Sequence, residues 1–358
     1  QLRSLNAHVR QKTITPDGGL ALIWCNGGGA FGYGHIKRMI ALARALRDTQ
    51  SIGVRFALSG SSDVLTPIRR AGFEAVLTSD LASTAREQKP DMLILDCREG
   101  PTRDELAALR ADIPLVAVID DGSPRRLAAD LAFYPPVPQA DALDWSGAAT
   151  QVRIGWQYAL TGLSPGTVSA YTLAARPTLL VAMGGSDPHG LTLRCARALT
   201  RLDPVFRARF VIGAGMEDAG RTALSIVALK SNFETIEGAD DLSTEYASAD
   251  LALCAFGVTA YELGFFGVPA LYLGLTPDHV RSASAFDMAG MGVSLGLAED
   301  IADATIAESV WSLLSDYMRR REMRNAGLAT IDGNGAVRIA GELVEALNAS
   351  RAPLRAVR

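Results

Sequence analysis

The sequence predicts an α/β protein in which two parallel sheets, one in each half of the chain, face each other across a cleft. The chain has 358 residues, a length typical of about two domains. Short apolar runs alternate with amphipathic stretches, as in β-α-β units. Each half carries a glycine-rich turn after its first apolar run. Because such folds bind ligands at the carboxyl ends of their strands, we expect a ligand between the halves.

The composition is that of an ordinary globular protein, with 48% hydrophobic and 21% charged residues. A net charge of −4 offers no basic field, so we expect no nucleic-acid partner. The four cysteines lie far apart and resemble small buried residues of a reducing cytoplasm, so we expect neither disulfides nor a metal. No apolar stretch reaches the roughly 20 residues that span a bilayer, and no signal peptide is recognised. We therefore expect a cytoplasmic protein without a membrane span or a cofactor.

In the first half, the strands are predicted from buried apolar runs: Leu20–Cys25, Val54–Leu58, Met92–Asp96, Leu115–Ile119 and Leu131–Tyr134. The helical patterns that follow them are Gly34–Arg47, Asp63–Ala71 and Thr102–Ala111. The proline-rich stretch YPPVPQADALDWSG predicts irregular chain.

The second half repeats this organisation. Its predicted strands are Thr178–Met183, Phe210–Ile212, Phe233–Ile236, Leu251–Cys254 and Ala270–Leu273. Its predicted helices are Leu191–Arg201, Gly220–Lys230, Thr259–Phe266 and Ala283–Gly290, and the tail 303–347 predicts two or three more.

The domain boundaries follow from these patterns. We expect an N-terminal linker over 1–18, a first domain over 19–160 and a second, nucleotide-binding domain over 161–330. The segment 331–358 is expected to form a C-terminal helix and tail that packs back on the first domain. Because the sequence begins at Gln1, a fusion to, or an association with, another enzyme of the same pathway stays open.

The first glycine turn reads Gly32-x-Gly34-His35-x-x-Arg38 and opens a helix. Unpaired N–H groups at a helix N-terminus suit a phosphate or a sugar oxygen. The helix dipole disfavours a charged imidazole, so His35 is predicted to be neutral and able to act as a general base. The alternative is that His35 only caps the helix. The glycine spacing also fits a dinucleotide fingerprint, but the acidic residue expected about 20 positions later is missing.

The second glycine turn contains Gly184, Gly185, Ser186 and Asp187. Adjacent glycines and a hydroxyl could bind a diphosphate. The alternative is a tight turn in which Asp187 caps the next helix.

A third stretch, GVTAYELGFFGVPAL, places Gly257, Val258, Thr259 and Glu262 at the start of a helix. Thr259 can bond a phosphate, and the Glu262 carboxylate can accept two hydrogen bonds from a ribose diol. The alternative for Glu262 is a favourable charge near the helix N-terminus.

Together, these three patches resemble the UDP-sugar hydrolase of pseudaminic acid biosynthesis, a family related to MurG-type glycosyltransferases. The resemblance implies the GT-B architecture of two Rossmann-like domains. It implies a UDP-linked amino-deoxy sugar as the small-molecule substrate, attack by water on the anomeric carbon with inversion, and no metal. His35 would activate the water, and the second and third patches would hold UDP. The setting would be nonulosonic acid or surface-glycan biosynthesis.

On the sugar side the chain departs from that family. The motif DCREGP keeps the family's aspartate as Asp96 but lacks its nearby tyrosine, and TPDHVRSASAF has Asp278 and His279 where the family has an Asn-Gln pair. We expect Asp278 and His279 on a loop that lines the cleft.

Three aspartates, Asp96, Asp120 and Asp121, follow strands of the first sheet. We expect them to orient the sugar or to position His35, together with Gly32, Gly34 and Arg38 from the first turn. Helix capping is the alternative for the three aspartates.

Three other functions stay open. A GT-B glycosyltransferase would use the same nucleotide-binding features with an acceptor other than water. A non-catalytic module would bind the nucleotide sugar without turnover. A nicotinamide dehydrogenase fits less well, because the acidic partner of the ribose is missing after the first turn.

Overall fold

The computed structural model describes residues 19–28, 31–163, 176–185, 187, 189–203, 205–213, 215–231, 233–238 and 241–351. The predicted linker 1–18, Ser186 and the last residues of the predicted tail lie outside this part of the chain. The described residues form two parallel sheets with helices packed on them, which confirms the predicted fold class.

The first sheet has seven parallel strands in the order β3-β2-β1-β4-β5-β6-β7. These strands are β1 Leu20–Gly27, β2 Gly53–Gly60, β3 Glu74–Leu77, β4 Met92–Asp96, β5 Leu115–Ile119, β6 Leu131–Tyr134 and β7 Gln151–Ile154. The helices of this half are α1 Gly34–Gln50, α2 Leu65–Arg70, α3 Leu81–Gln88, α4 Arg103–Arg110 and the short α5 Pro138–Asp141.

The strand order reverses between β1 and β4, whose carboxyl ends lie side by side with Cys25 opposite Asp96. At such a reversal the loops that follow the two strands diverge and leave a crevice. This topology brings the start of α1 and the end of β4 to the same edge of the sheet.

The second sheet has six parallel strands in the order β10-β9-β8-β11-β12-β13. They are β8 Thr178–Ala182, β9 Arg207–Ile212, β10 Glu234–Glu237, β11 Leu251–Ala255, β12 Ala270–Gly274 and β13 Gly292–Leu297. The helices are α6 Leu191–Leu199, α7 Asp218–Ser231, α8 Ser243–Ala247, α9 Val258–Phe266, α10 Pro277–Met288, α11 Asp303–Ser315 and α12 Tyr317–Thr330.

The last helix, α13 Gly335–Arg351, leaves the second half and packs on α1. Its apolar face, which includes Ile339 and Leu343, is buried in the same core as Met39 and Leu42. Glu342 of α13 accepts a hydrogen bond from Arg153 Nε at 2.6 Å. The chain therefore crosses between the two halves twice.

The expectation that Asp278 and His279 lie on a loop is wrong. Helix α10 begins at Pro277, and the Thr276 side chain accepts a hydrogen bond from the His279 N–H. Threonine at the N-cap and proline in the first turn favour a helix start at this point.

Three contacts hold the halves close together. Gln139 Nε2 donates to the Asp278 carbonyl oxygen and to Ser282 Oγ, both at 2.8 Å. The rings of Trp156 and Phe286 lie 4.9 Å apart. Within the described ranges, none of the helices has the length and hydropathy needed to cross a membrane.

Candidate active site

The first site feature is a hydrogen bond between His35 and Asp96. His35 lies on the first turn of α1, and its Nδ1 is 2.7 Å from Asp96 Oδ1. Asp96 ends β4 and is 1% exposed. An ionised carboxylate only accepts hydrogen bonds, so Nδ1 carries the proton in this contact and a neutral ring has its lone pair on Nε2. The strand end thus selects the tautomer that can act as a base.

Arg38, one turn further along α1, binds the same carboxylate with two donors. Its Nε is 2.6 Å from Asp96 Oδ2, and its Nη2 is 2.6 Å from Asp96 Oδ1. Burial alone would raise the pKa of Asp96, but the charges of Arg38 and His35 outweigh it and hold that pKa well below its usual range. Asp96 is therefore an anion, held by a bidentate contact.

Asp120 follows β5 and accepts a hydrogen bond from Arg38 Nη1 at 3.1 Å. Its φ of +54° lies in the left-handed region, which a residue with a side chain rarely adopts. The side chain is 35% exposed, and the protein atoms around it partly desolvate the carboxylate. This desolvation raises the pKa of Asp120; Arg38 opposes the shift and Asp96 adds to it. Asp96 and Asp120 therefore share one guanidinium but have pKa values shifted in opposite directions.

Asp121 is buried and bound within its own loop. It is 4% exposed, and its carboxylate accepts a hydrogen bond from the Ser123 N–H at 2.7 Å and pairs with Arg125 Nε at 2.8 Å. Its carbonyl oxygen accepts a hydrogen bond from the Tyr134 hydroxyl. These contacts hold the loop after β5 in place.

Two helix N-termini meet at the cleft. Helix α1 follows Tyr33, whose side chain makes no capping hydrogen bond, and its first turn carries no acidic residue. Helix α9 follows Gly257, which has no side chain to cap it and open space where a Cβ would lie. A Cβ on Gly34 would lie 3.1 Å from Val258 Cγ2, so the two first turns are in near contact. Their free N–H groups and helix dipoles favour an anion between them. Gly32, just before α1, also has open space beside it.

The predicted ribose ligand, Glu262, is buried in α9 and already has partners. The Tyr246 hydroxyl donates to its Oε2 at 2.7 Å. Gly162 lies against the other oxygen, since a Cβ on Gly162 would be 2.9 Å from Glu262 Oε1. Burial raises the pKa of Glu262, and the charge of Lys37 on α1 partly offsets that rise. A ribose diol would have to reach Oε1 beside Gly162.

The second glycine turn is shaped by a close backbone approach. A Cβ on Gly213 would lie 2.2 Å from the Gly185 carbonyl oxygen, and Gly184 has a φ of +90°. Asp187 is buried and accepts hydrogen bonds from the N–H groups of Leu191 and Thr192, both at 2.8 Å. Because Asp187 occupies these donors at the start of α6, the open anion site is at α9 instead.

The sugar side of the cleft contains His279 and two residues that sequence reasoning missed. Burial lowers the pKa of His279, and the positive charge of Arg98 from the first domain lowers it further. The ring of Tyr261 in α9 lies 6.5 Å from that of Trp156 of the first domain. Burial raises the pKa of Tyr261, and the charge of Asp120 adds to the rise. Asp278 is 68% exposed and pairs with Arg281. Arg98 stands two residues after Asp96, and Tyr261 stands directly before Glu262. Their nearness in sequence to predicted site residues is the signal that could have identified them.

The described residues include no group of three or more His, Cys, Asp or Glu side chains arranged to hold a metal ion.

Comparisons with known proteins find relatives of about a quarter sequence identity. No protein-family model matches the chain. It is 24% identical over 333 residues to the spore coat polysaccharide biosynthesis protein SpsG of Bacillus subtilis (strain 168), covering 88% of this chain and 95% of that protein. It is 25% identical over 341 residues to the UDP-N-acetylglucosamine--N-acetylmuramyl-(pentapeptide) pyrophosphoryl-undecaprenol N-acetylglucosamine transferase of Thiobacillus denitrificans, covering 93% and 86% of the two chains.

A solved structure supports the fold. The UDP-GlcNAc 2-epimerase of Neisseria meningitidis, bound to UDP-GlcNAc, superposes with a TM-score of 0.65 at 14% identity, covering 91% of this chain and all of that one. The predicted GT-B architecture of two facing Rossmann-like domains is thereby confirmed.

Proposed function

We propose that the protein is an inverting enzyme that breaks the anomeric C–O bond of a UDP-linked sugar and passes the sugar to an acceptor hydroxyl. The proposal depends chiefly on one observation: the uncapped N-termini of α1 and α9 meet beside the His35–Asp96 pair. An anion site and an oriented base at one place match a reaction that deprotonates a nucleophile and releases a diphosphate. The name of the Thiobacillus relative, a UDP-N-acetylglucosamine transferase, supports a UDP-sugar donor.

The diphosphate would bind at the first turn of α9, with α1 on its other side. Negative charge accumulates on the diphosphate as the anomeric bond breaks. Preorganised N–H groups and helix dipoles stabilise that charge in the transition state. Gly184 and Gly185 would flank the diphosphate; Ser186, although outside the described residues, keeps its predicted role here.

His35 would act as the general base through Nε2. Its Nδ1–H contact with Asp96 fixes the ring, and the carboxylate stabilises the imidazolium that forms when Nε2 takes the nucleophile's proton. Such a base contributes roughly 10²–10⁴-fold to the rate. Arg38 acts by positioning Asp96, while Asp120 and His279 face the space left for the sugar.

Hydrolysis of an amino-deoxy UDP-sugar is the second candidate. One observation favours it: the His35 side chain is only 14% exposed, and the two domains approach each other beside it, at Gly34 and Val258. A water molecule needs less room there than a larger acceptor. A setting in surface-glycan biosynthesis is supported by the name of the Bacillus relative. The pseudaminic-type sugar stays a prediction from the sequence.

The experiment is to incubate the protein with UDP-N-acetylglucosamine and with a UDP-linked 2,4-diacetamido-2,4,6-trideoxyhexose, and to measure free UDP with and without hydroxyl acceptors. Release that needs an acceptor supports transfer, and release in water alone supports hydrolysis. Either activity should fall in His35→Gln. Saturable UDP binding without turnover of any donor would contradict both candidates and leave a binding module.

A further inference from the structure

Arg98 and His279 lie just after strands of the two sheets, one in each domain, and no role in binding the diphosphate has been assigned to either. Arg98 is exposed in the loop after β4, and its positive charge acts on His279 in the first turn of α10. No hydrogen bond or ion pair of the Arg98 guanidinium is formed within the described part of the chain. The Nδ1 atom of His279 is buried and likewise has no hydrogen-bond partner there.

Both residues are held on fixed supports. The Arg98 carbonyl oxygen accepts a hydrogen bond from Arg125 Nη2 at 2.9 Å. The neighbouring residue, Glu99, bonds through its N–H and carbonyl oxygen to the Asn26 side chain at 2.9 and 3.0 Å. On the other side, Gln139 of the first domain anchors the start of α10. The backbone segments that carry Arg98 and His279 are therefore held in place on both sides of the cleft.

The carboxylates near this pair have partners of their own. Asp278 pairs with Arg281, and Asp121 pairs with Arg125. Asp96 and Asp120 are bound by Arg38. The buried Nδ1 atom of His279 is costly to leave without a hydrogen bond. An anion could accept a hydrogen bond from it and pair with the exposed Arg98 guanidinium.

The position of the pair distinguishes it from the diphosphate site. Arg98 follows β4, the strand next to β1, and His279 follows β12, the strand next to β11. The helices α1 and α9, which would hold the diphosphate, follow β1 and β11. Arg98 and His279 are thus displaced by one strand in each sheet from the proposed diphosphate site, toward the part of the cleft where the sugar would lie.

We propose that Arg98 and His279 form a subsite for an anionic substituent, such as a carboxylate, on the sugar of the nucleotide-sugar donor. This inference rests on the proposed function, because it assumes that UDP binds at α9. The guanidinium supplies charge and paired donors, and the imidazole supplies one N–H from the opposite wall. The subsite selects uronate-type sugars over their neutral counterparts.

The test compares dissociation constants for UDP, UDP-glucose and UDP-glucuronate by titration calorimetry at low and high salt. The wild type should bind UDP-glucuronate at least roughly tenfold more tightly than UDP-glucose, since a hydrogen bond to a charged group has about that effect. The preference should weaken as salt rises. Arg98→Gln should reduce the ratio to about one without changing UDP affinity. His279→Gln should reduce it partly.

Arg103→Gln, which removes an exposed charge at the start of α4, is the matched control and should leave the ratio unchanged. A wild type that binds UDP but prefers UDP-glucose, or shows no preference, would overturn the subsite and leave the proposed function intact. An Arg98→Gln variant that weakens UDP and both sugars equally would assign Arg98 to the diphosphate and also overturn it. Absence of any UDP binding would overturn both proposals.

Discussion

Asp96, at the end of β4, accepts a hydrogen bond at 2.7 Å from His35, which lies 61 residues earlier in the first turn of α1. The contact joins a helix start to a strand end at the point where the strand order reverses. The contact engages Nδ1 and leaves Nε2 of His35 to accept a proton. A nucleophile can therefore be activated only on the Nε2 side of the ring.

Replacement of His35 by Gln should lower the turnover of whichever UDP-sugar is the substrate by roughly 10²–10⁴-fold. The affinity for UDP should change little, because the helix N–H groups that would hold the diphosphate remain. Steady-state kinetics and calorimetry on the same preparation measure the two effects. Turnover at the wild-type rate would mean that another group serves as the base.

Replacement of Asp96 by Asn should destabilise the protein by roughly 3 kcal/mol at neutral pH, since it removes a buried charge partner of Arg38. The pKa of Asp96 in the folded protein lies below the unfolded value of about 3.9. Its ionisation therefore stabilises the fold at pH values above that number, and this contribution is lost as the pH falls toward the folded pKa.

The difference between wild type and Asp96→Asn in urea denaturation should accordingly shrink between pH 5 and pH 3, two values that bracket the unfolded pKa. Asp48→Asn is the control. Asp48 forms an ion pair with Arg47, but its side chain is more than half exposed to solvent. It should have little effect at any of these pH values. A gap that stays constant on acidification would show that Asp96 is not held as an anion.

Replacement of Gly257 by Asp should weaken UDP binding without lowering the stability of the fold. The φ of Gly257 is 172°, an extended conformation that any residue adopts, and the space for a side chain is open. Aspartate is a favoured N-cap, so the stability should stay equal or rise by about 0.5–1 kcal/mol. The same carboxylate would occupy the N–H groups of α9 and repel a diphosphate, so UDP should bind at least roughly tenfold more weakly.

Gly257→Ala adds a methyl group without a charge and should retain UDP binding. Thermal unfolding and calorimetry of both variants provide the comparison. If Gly257→Asp binds UDP as the wild type does, the diphosphate does not lie at the start of α9.

The sequence predicted the inner strands well and the edge strands poorly. Strands β4 and β5 are covered on both faces and are buried at every position, so each appears as an unbroken apolar run. Strands β3, β7 and β13 are edge strands, with exposed or half-buried positions along most of their length. A partly solvated strand needs no continuous apolar run, and these three gave no clear signal.

The site divides in a similar way. The common location of His35, Arg38 and Asp96 follows from parallel strands ending at one edge, which sequence alone indicates. The different environments of Asp120 and Asp121 do not, because only packing shows that one binds Arg38 and the other Arg125. Glu262 lies against Gly162, a residue 100 positions away, and no local pattern predicts that contact.

The engagement of Glu262 leads to the last prediction, on recognition of the ribose. A ribose diol can bond to this carboxylate only if it reaches Oε1, which Gly162 lies against, while the Tyr246 hydroxyl stays on Oε2. If Glu262 holds the ribose, the wild type should bind UDP roughly tenfold more tightly than 2′-deoxy-UDP, because one hydrogen bond to a charged group is lost. Glu262→Gln should narrow this ratio, since a neutral amide accepts more weakly.

Tyr246→Phe is the matched variant, because it removes the phenolic donor but leaves the carboxylate in place. It should lower stability, since a buried carboxylate loses a partner, and it should leave the preference for the 2′-hydroxyl intact. Calorimetric titration of the wild type and both variants with the two nucleotides measures each ratio. Equal affinities of the wild type for the two nucleotides would mean that Glu262 joins α9 to Tyr246 and the segment around Gly162, and that the ribose binds elsewhere.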